Sequence, residues 1–69
     1  MMENVKIKGE FITLQQLLKV ESIISSGGEI KYYLQENTVL VNGERETRRG
    51  RKLYPGDVVK VEDLEINLD

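Results

Sequence analysis

The residues best suited to binding chemistry form one basic run. Five of the ten basic residues of this 69-residue chain lie in the eight positions of "RETRRGRK". They are Arg45, Arg48, Arg49, Arg51 and Lys52. The planar guanidinium of arginine can hold a phosphate through two parallel hydrogen bonds and can stack on a base. The run therefore indicates contact with a nucleic acid, and a solvated loop is the alternative.

The charges of the chain are segregated, so the net charge of −2 does not exclude a polyanionic partner. Residues 45–60 carry six basic residues and two acids, whereas residues 62–69 carry four acids and no base. Screening over about 8 Å at physiological salt leaves the field of the basic run intact at its own surface. Glu44 and Glu46 are placed to pair with one or two of the arginines, which would reduce the positive charge.

A second candidate site lies in "SSGGEIK". Ser26 precedes Glu29 by the spacing of a capping box, which predicts a helix from near Gly27 to near Glu36. The first N–H groups of a helix can bind a phosphate, and Gly27 and Gly28 would leave them approachable, with Lys31 one turn further on. The alternative is that Ser26 and Glu29 only cap the helix.

The three tyrosines differ in their expected roles. Tyr32 falls on the side of the predicted helix away from Ile30, where an exposed ring could stack on an unpaired base for ~1 to 3 kcal/mol. The alternative is that its ring covers a neighbouring strand. Tyr33 and Tyr54 are expected to pack against the core or a turn.

The missing residue types exclude several classes of function. The chain has no cysteine and no histidine, which excludes disulfides and Cys/His zinc sites and removes the commonest catalytic groups near neutral pH. No nucleophile–base pair or metal cluster is visible, so we expect no enzyme activity, no cofactor and no small-molecule substrate. No segment resembles a signal peptide or reaches the ~20 apolar residues of a membrane span, which favours a cytosolic protein with no membrane partner.

The chain is expected to form a single domain over residues 1–69. Three elements are predicted in its first half. An N-terminal strand is expected over residues 5–12. Thr13 and Gln16 have capping-box spacing and predict a first helix from Leu14 to about Val20, and Asn37 suits a left-handed cap at the end of the second helix. Helices this short are marginal alone, so they must pack on a sheet.

Two strong turn motifs organise the second half. Asn42 and Gly43 follow an apolar strand and predict a two-residue hairpin, and Pro55 and Gly56 predict a type II turn before a strand at residues 58–61. Residues 62–69 are expected to add an acidic edge strand. The predicted fold class is α+β, with two short helices packed on a small, mostly antiparallel sheet.

The order of these motifs resembles the S4 RNA-binding domain, an αL-type fold. The similarity covers residues 11–61 as a core, and "VLVNGE" (39–44) and "YPGDVVKV" (54–61) are its most specific parts. Within the family, "SGGEIK" and "ETRRGRKL" look most like the small stand-alone members of the YaaA/YbcJ type. The chain departs from the family at Thr13–Gln15, where many members have Arg-Leu-Asp, and at Gly27, where many have arginine.

The resemblance implies an RNA-binding module whose second helix and basic loop face the RNA. Structured RNA, either ribosomal RNA or an assembling ribosomal particle, is the expected partner. The residues expected to contact it are Gly27, Gly28, Lys31, Tyr32, Arg45, Arg48, Arg49, Arg51 and Lys52. If three to five cations neutralise phosphates, log affinity should fall against log salt with a slope of roughly −2 to −4.5. The alternative function is a protein-interaction module whose basic face docks an acidic protein.

Overall fold

The computed structural model describes residues 1–69. The strands are β1 (Met2–Val5), β2 (Ile12–Thr13), β3 (Val39–Val41), β4 (Glu44–Arg45), β5 (Lys52–Leu53), β6 (Val58–Val61) and β7 (Leu64–Leu68). The helices are α1 (Leu14–Val20) and α2 (Ile30–Glu36), and α2 follows one 3₁₀ turn over Gly27–Glu29. Neither helix has the length and apolar character that crossing a membrane requires.

The strands form two sheets. The larger sheet has the order β1-β7-β6-β3-β4, and its pairs are antiparallel except for the parallel pair of β1 with β7. The smaller sheet pairs β2 with β5, so that Thr13 lies opposite Lys52. One cluster of 14 buried apolar residues joins the helices to both sheets. The predicted α+β class, with two helices on a mostly antiparallel sheet, is confirmed.

Helix α1 begins where its capping box predicted. The Thr13 backbone N–H donates to Gln16 Oε1 at 2.9 Å, and the Gln16 backbone N–H donates to Thr13 Oγ1 at 3.2 Å. Leu14, Leu17 and Leu18 share one face at helical spacing and are all fully buried. The capping-box spacing and the spacing of the leucines both predicted this helix, and the structure confirms it.

The start and end of α2 correct the prediction in two places. Ser26 makes no capping bond; instead the Ser25 backbone N–H and hydroxyl both donate to the Glu29 carboxylate, and the first turn is 3₁₀. Asn37 is extended, at φ −129°, rather than left-handed, because the chain passes almost directly from α2 into β3. The bounds of the helix were right, but the bonds that cap it were wrong.

The N-terminal strand also differs from the prediction over residues 5–12. The strand lies at Met2–Val5, and the pairing with β7 ends at Val5. Beyond it the Ile7 N–H still donates to the Asp69 carbonyl, and the chain then turns at Gly9, whose φ of +88° favours glycine, before it forms β2. The apolar–polar alternation around Ile7 reflects one buried side chain in a connecting segment.

Strand β7 was predicted at the edge of the sheet and lies in its interior. It pairs with β6 on one side and β1 on the other, and it begins at Leu64 because Glu62, at φ +54°, forms the preceding turn. Ile66 and Leu68 are buried, which explains why this acidic segment still belongs to the core. The prediction of an edge position was wrong because the second partner of β7 is β1, which is distant in sequence.

The two predicted turns are confirmed. Asn42 and Gly43 have φ values of +53° and +87°, as a two-residue hairpin between β3 and β4 requires. Gly56 has φ +99°, as the third position of a type II turn requires. The side chain of Asn42 connects both turns, because it donates to Asp57 and accepts from the backbone N–H of Val58.

Candidate nucleic-acid interface

An open groove of about 580 Å³ lies between α2 and the basic loop, which we define as residues 46–51. Its lining residues are Lys31, Leu34, Gln35, Arg45, Thr47 and Arg49. Three of these residues are cations, all exposed, and no carboxylate lines the groove. We call it the arginine groove; it brings together three of the nine residues predicted from the sequence.

The backbone of the basic loop is held by the start of α1. The Leu14 N–H donates to the Arg51 carbonyl at 2.9 Å, and the Gln15 N–H donates to the Arg49 carbonyl at 3.0 Å. The first N–H groups of a helix lack partners within the helix, and here the loop supplies them. Because the helix is itself anchored in the core, the loop presents its side chains from a fixed frame.

Glu46 fixes the same loop from inside. Its side chain is buried and accepts hydrogen bonds from the Arg48 backbone N–H at 2.9 Å, from Arg48 Nε at 3.0 Å and from Arg51 Nη1 at 2.7 Å. The hydrogen bond from the Arg48 side chain is the main cause that lowers the pKa of Glu46 to about 2, and burial opposes the shift. The carboxylate is therefore charged at neutral pH and neutralises part of the loop.

The predicted pairing of acids with the basic run is thus half right. Glu46 pairs with Arg48 and Arg51, whereas Glu44 is exposed and makes no ion pair. Arg51 is only 34% exposed, and Arg48 keeps 72% of its side chain exposed while it binds Glu46. The unpaired arginines of the run are Arg45 and Arg49, and both line the arginine groove.

Lys52 belongs to a different surface. It lies on β5, and its Nζ is 4.9 Å from the centre of the Phe11 ring. Phe11 in turn lies against Tyr54, with 6.1 Å between ring centres. Tyr54 therefore packs at the turn, as predicted, and Lys52 does not line the arginine groove.

The glycines of the 3₁₀ turn also lie outside the groove. A Cβ on Gly27 would come within 2.7 Å of Gln15 Nε2, so Gly27 lies against the side chain of Gln15 on α1. Gly28 is exposed and borders a shallow depression that also contains Glu29 and Tyr32. The depression carries two acids, Glu29 and Glu36, which makes it unsuitable for a phosphate.

The tyrosines of α2 occupy different environments. Tyr32 is 68% exposed, so its ring is free to stack, but it borders the acidic depression rather than the cations of the arginine groove. Tyr33 is half-buried, as predicted, and its hydroxyl donates to Glu62 at 2.9 Å. Burial, assisted by this acceptor, raises the pKa of Tyr33 to about 12.

Sequence reasoning missed Gln35 and Thr47, which complete the polar lining of the groove. Gln35 could have been found, since it lies four residues after Lys31 and therefore on the same face of the helix. Thr47 carried no comparable pattern. No group of three or more His, Cys, Asp or Glu side chains is placed to hold a metal ion.

Comparison with known proteins defines the class. Residues 5–68 match the family model of the S4 domain, which extends beyond the predicted core of residues 11–61, and the chain belongs to the S4 domain family. The resemblance predicted from the sequence is therefore confirmed. A relative from Bacillus subtilis (strain 168), named "Probable ribosome maturation protein RlbA", is 53% identical over 62 residues. That alignment covers 90% of this chain and 87% of the relative.

Proposed function

We propose that this S4 domain binds structured RNA through the arginine groove, and that its target is ribosomal RNA or an assembling ribosomal particle. The observation that carries the proposal is the convergence of Lys31, Arg45 and Arg49 on one groove without a carboxylate. The name of the Bacillus subtilis relative, "Probable ribosome maturation protein RlbA", supports the choice of target.

The chemistry of the groove suits the RNA backbone better than base edges. Two guanidinium groups and one ammonium group can bind phosphates, and Thr47 and Gln35 can exchange hydrogen bonds with ribose hydroxyls. No aromatic ring lines the groove, so stacking of bases on an aromatic side chain is not part of the proposed contact. The proposal is therefore recognition by shape and backbone.

In this proposal the protein is a binding module and not a catalyst, and it acts in the cytosol, where ribosomes are assembled. Gly27, Gly28, Tyr32 and Lys52 are not part of the proposed contact surface, because they lie outside the groove. Arg48 and Arg51 contribute mainly by fixing the loop with Glu46.

The proposal is tested by RNA affinity measured against salt. Changing Lys31, Arg45 and Arg49 together to alanine removes the three groove cations, and changing Lys6, Lys8 and Lys19 together to alanine removes the same charge elsewhere. With three phosphate contacts, the wild-type slope of log affinity against log salt should be roughly −2 to −3. The groove variant should lose most of this slope and most of its affinity for ribosomal RNA, whereas the control variant should keep both.

Equal losses in the two variants, or no binding of the natural protein at ~50 mM salt, would contradict the proposal. Replacing Arg48, Arg49 and Arg51 together would be a poorer test, because it would leave the buried Glu46 carboxylate without its arginine partners and disturb the loop. Co-sedimentation of the same variants with ribosomal particles in a gradient would identify the particle.

Ribonuclease treatment distinguishes RNA binding from the alternative, in which the basic face docks an acidic protein. Ribosomal components that remain attached to the wild-type protein after complete digestion, and are released by the groove variant, would support the alternative. Loss of those components on digestion would support RNA binding.

A further inference from the structure

A second groove, of about 540 Å³, shares no lining residue with the arginine groove. It lies between the segment at residues 5–12 and the outer face of α1. We call it the lysine groove, after Lys6, Lys8 and Lys19, its three charged lining residues. None of these lysines belongs to the basic run, and no carboxylate lines the groove.

Half of the eight residues that line the lysine groove are apolar. Val5, Phe11 and Val20 are among its four hydrophobic lining residues, and Val20 is 62% exposed although it is a large aliphatic side chain. The arginine groove has one hydrophobic lining residue, Leu34. A lining that mixes apolar side chains with lysines is more typical of a protein–protein contact than of a backbone contact with RNA.

The lysines of this groove have no ionic partner within the chain. Both ion pairs of the structure involve Glu46, which lies in the basic loop. Glu10 and Glu21 adjoin the groove residues Phe11 and Val20 in sequence, yet neither forms an ion pair with a groove lysine. Lys52, above the Phe11 ring, adds a fourth cation beside the groove.

We propose that the lysine groove docks an acidic protein segment that places an apolar side chain against Phe11 and Val20. Charge complementarity selects an acidic partner, and the exposed valine selects one with an apolar anchor. RNA fits less well, because the groove has no arginine and one face of the Phe11 ring is occupied by Lys52. The protein then carries two separate binding faces.

The test uses the full chain, labelled with ¹⁵N, and two synthetic twelve-residue peptides. The first peptide alternates Asp or Glu with Leu, and the second replaces every Leu by Ser at the same charge. At about 150 mM salt, the first peptide should shift the amide resonances of Lys6, Lys8 and Val20 and leave those of Arg45 and Arg49 unchanged. The second peptide should bind at least about tenfold more weakly.

Variants locate the contact. Charge reversal by Lys8→Glu with Lys19→Glu should weaken binding of the first peptide at least about tenfold, and Val20→Ser should weaken it without changing the net charge. Arg45→Ala with Arg49→Ala should leave the peptide affinity unchanged. The lysine groove and the arginine groove share no residue. The peptide-binding proposal can therefore fail while the RNA-binding proposal holds, and the reverse.

Four outcomes would overturn the proposal. They are no binding of the first peptide at about 1 mM, equal affinity for both peptides, perturbation of the arginine groove instead, and titration of the lysine-groove amides by a structured RNA. If the same amides shift with protein concentration alone, a second copy of the chain occupies the groove, and the proposal is likewise wrong.

Discussion

At the residue scale, Glu46 divides the basic run into two groups of cations. Arg48 and Arg51 bind its carboxylate, and Arg45 and Arg49 remain free for a ligand. A buried carboxylate with good hydrogen-bond donors on both oxygens is costly to disturb, because loss of the arginines would leave Glu46 as a buried charge without an ionic partner. An acid inside the basic loop therefore orders the loop while it lowers the total positive charge.

The first prediction concerns acid sensitivity. The pKa of Glu46 is about 2 in the folded protein, against 4.5 as its ordinary value, so its stabilising effect is present above pH 4.5 and is lost as the pH falls toward 2. Glu46→Gln should lower the free energy of unfolding at pH 7 by on the order of 2 kcal/mol. The difference from wild type should shrink below pH 4.5, as measured by urea unfolding at several pH values. A difference independent of pH would contradict this assignment.

The second prediction concerns a loss of stability toward neutral pH that arises at Glu21, the residue that follows α1. The pKa of Glu21 is raised to about 7, chiefly because the side chain of Glu3 lies within hydrogen-bonding reach, with burial and the charge of Glu3 adding to the shift. The folded protein then holds a proton that the unfolded chain releases, so stability falls as the pH rises from 4.5 through 7. Glu21→Gln should remove this fall and be more stable than wild type above pH 7.

The control for this prediction is Glu36→Gln, which removes one exposed carboxylate from α2. Its stability relative to wild type should not change between pH 4.5 and 7.5. If Glu21→Gln and Glu36→Gln give the same profile, the contact between Glu3 and Glu21 does not control the pH response.

The sequence revealed which residue types could bind phosphate but not which of them are free to do so. Arg45, Arg49 and Lys31 converge because the hairpin of β3 and β4 lies beside α2, a contact that local patterns do not contain. Lys52 was grouped with them by adjacency in sequence, yet β5 pairs with β2 and carries it to Phe11.

At the scale of elements, α1 does more than fill the core. Its capping box satisfies the Gln16 N–H through Thr13, and the two preceding N–H groups, those of Leu14 and Gln15, donate to the basic loop. The start of one helix therefore sets the position of a loop that is about 35 residues away in sequence.

The third prediction follows from this capping box. Thr13→Ala should lower the free energy of unfolding by about 1 kcal/mol, because the Gln16 N–H loses its acceptor. In a domain of this size that loss corresponds to a fall in Tm of roughly 4 to 8 °C. Thr38→Ala, at an exposed position with no side-chain hydrogen bond, is the control and should change Tm little. Similar shifts in the two variants would show that the cap is unimportant.

Elements with local determinants were predicted well, and elements that depend on distant partners were not. The bounds of α1 and both turns follow from capping spacing and from positions that require positive φ. Strands β1 and β7 pair with each other although most of the chain separates them. Neither segment alone therefore shows that β1 forms or that β7 lies inside the sheet.

At the scale of the whole molecule, the stability margin rests on a small core. The 14 buried apolar residues form one cluster in a molecule whose Cα radius of gyration is 10.8 Å. A domain of this length buries roughly 60% of its unfolded surface, so few side chains can be lost without unfolding it.

The fourth prediction tests that margin. Ile66 is fully buried on β7, and Ile66→Ala should destabilise the protein by about 3 kcal/mol, enough to lower Tm by more than about 12 °C. Val20→Ala, at an exposed position, should change the free energy of unfolding by less than about 0.5 kcal/mol. Thermal unfolding followed by circular dichroism measures both. A small effect of Ile66→Ala would mean that β7 is not central to the core.

The parallel pairing of β1 with β7 also bears on how the chain is made. Translation delivers β1 first, but its partner strand emerges only with residues 64–68, after β6 has been synthesised. Until then the nascent chain exposes the unpaired edges of β1 and β6, and closing so long a loop must precede the contacts that stabilise it. Completion of the sheet therefore waits for β7, and a product that stops before Leu64 would lack the strand that joins β1 to the rest of the sheet.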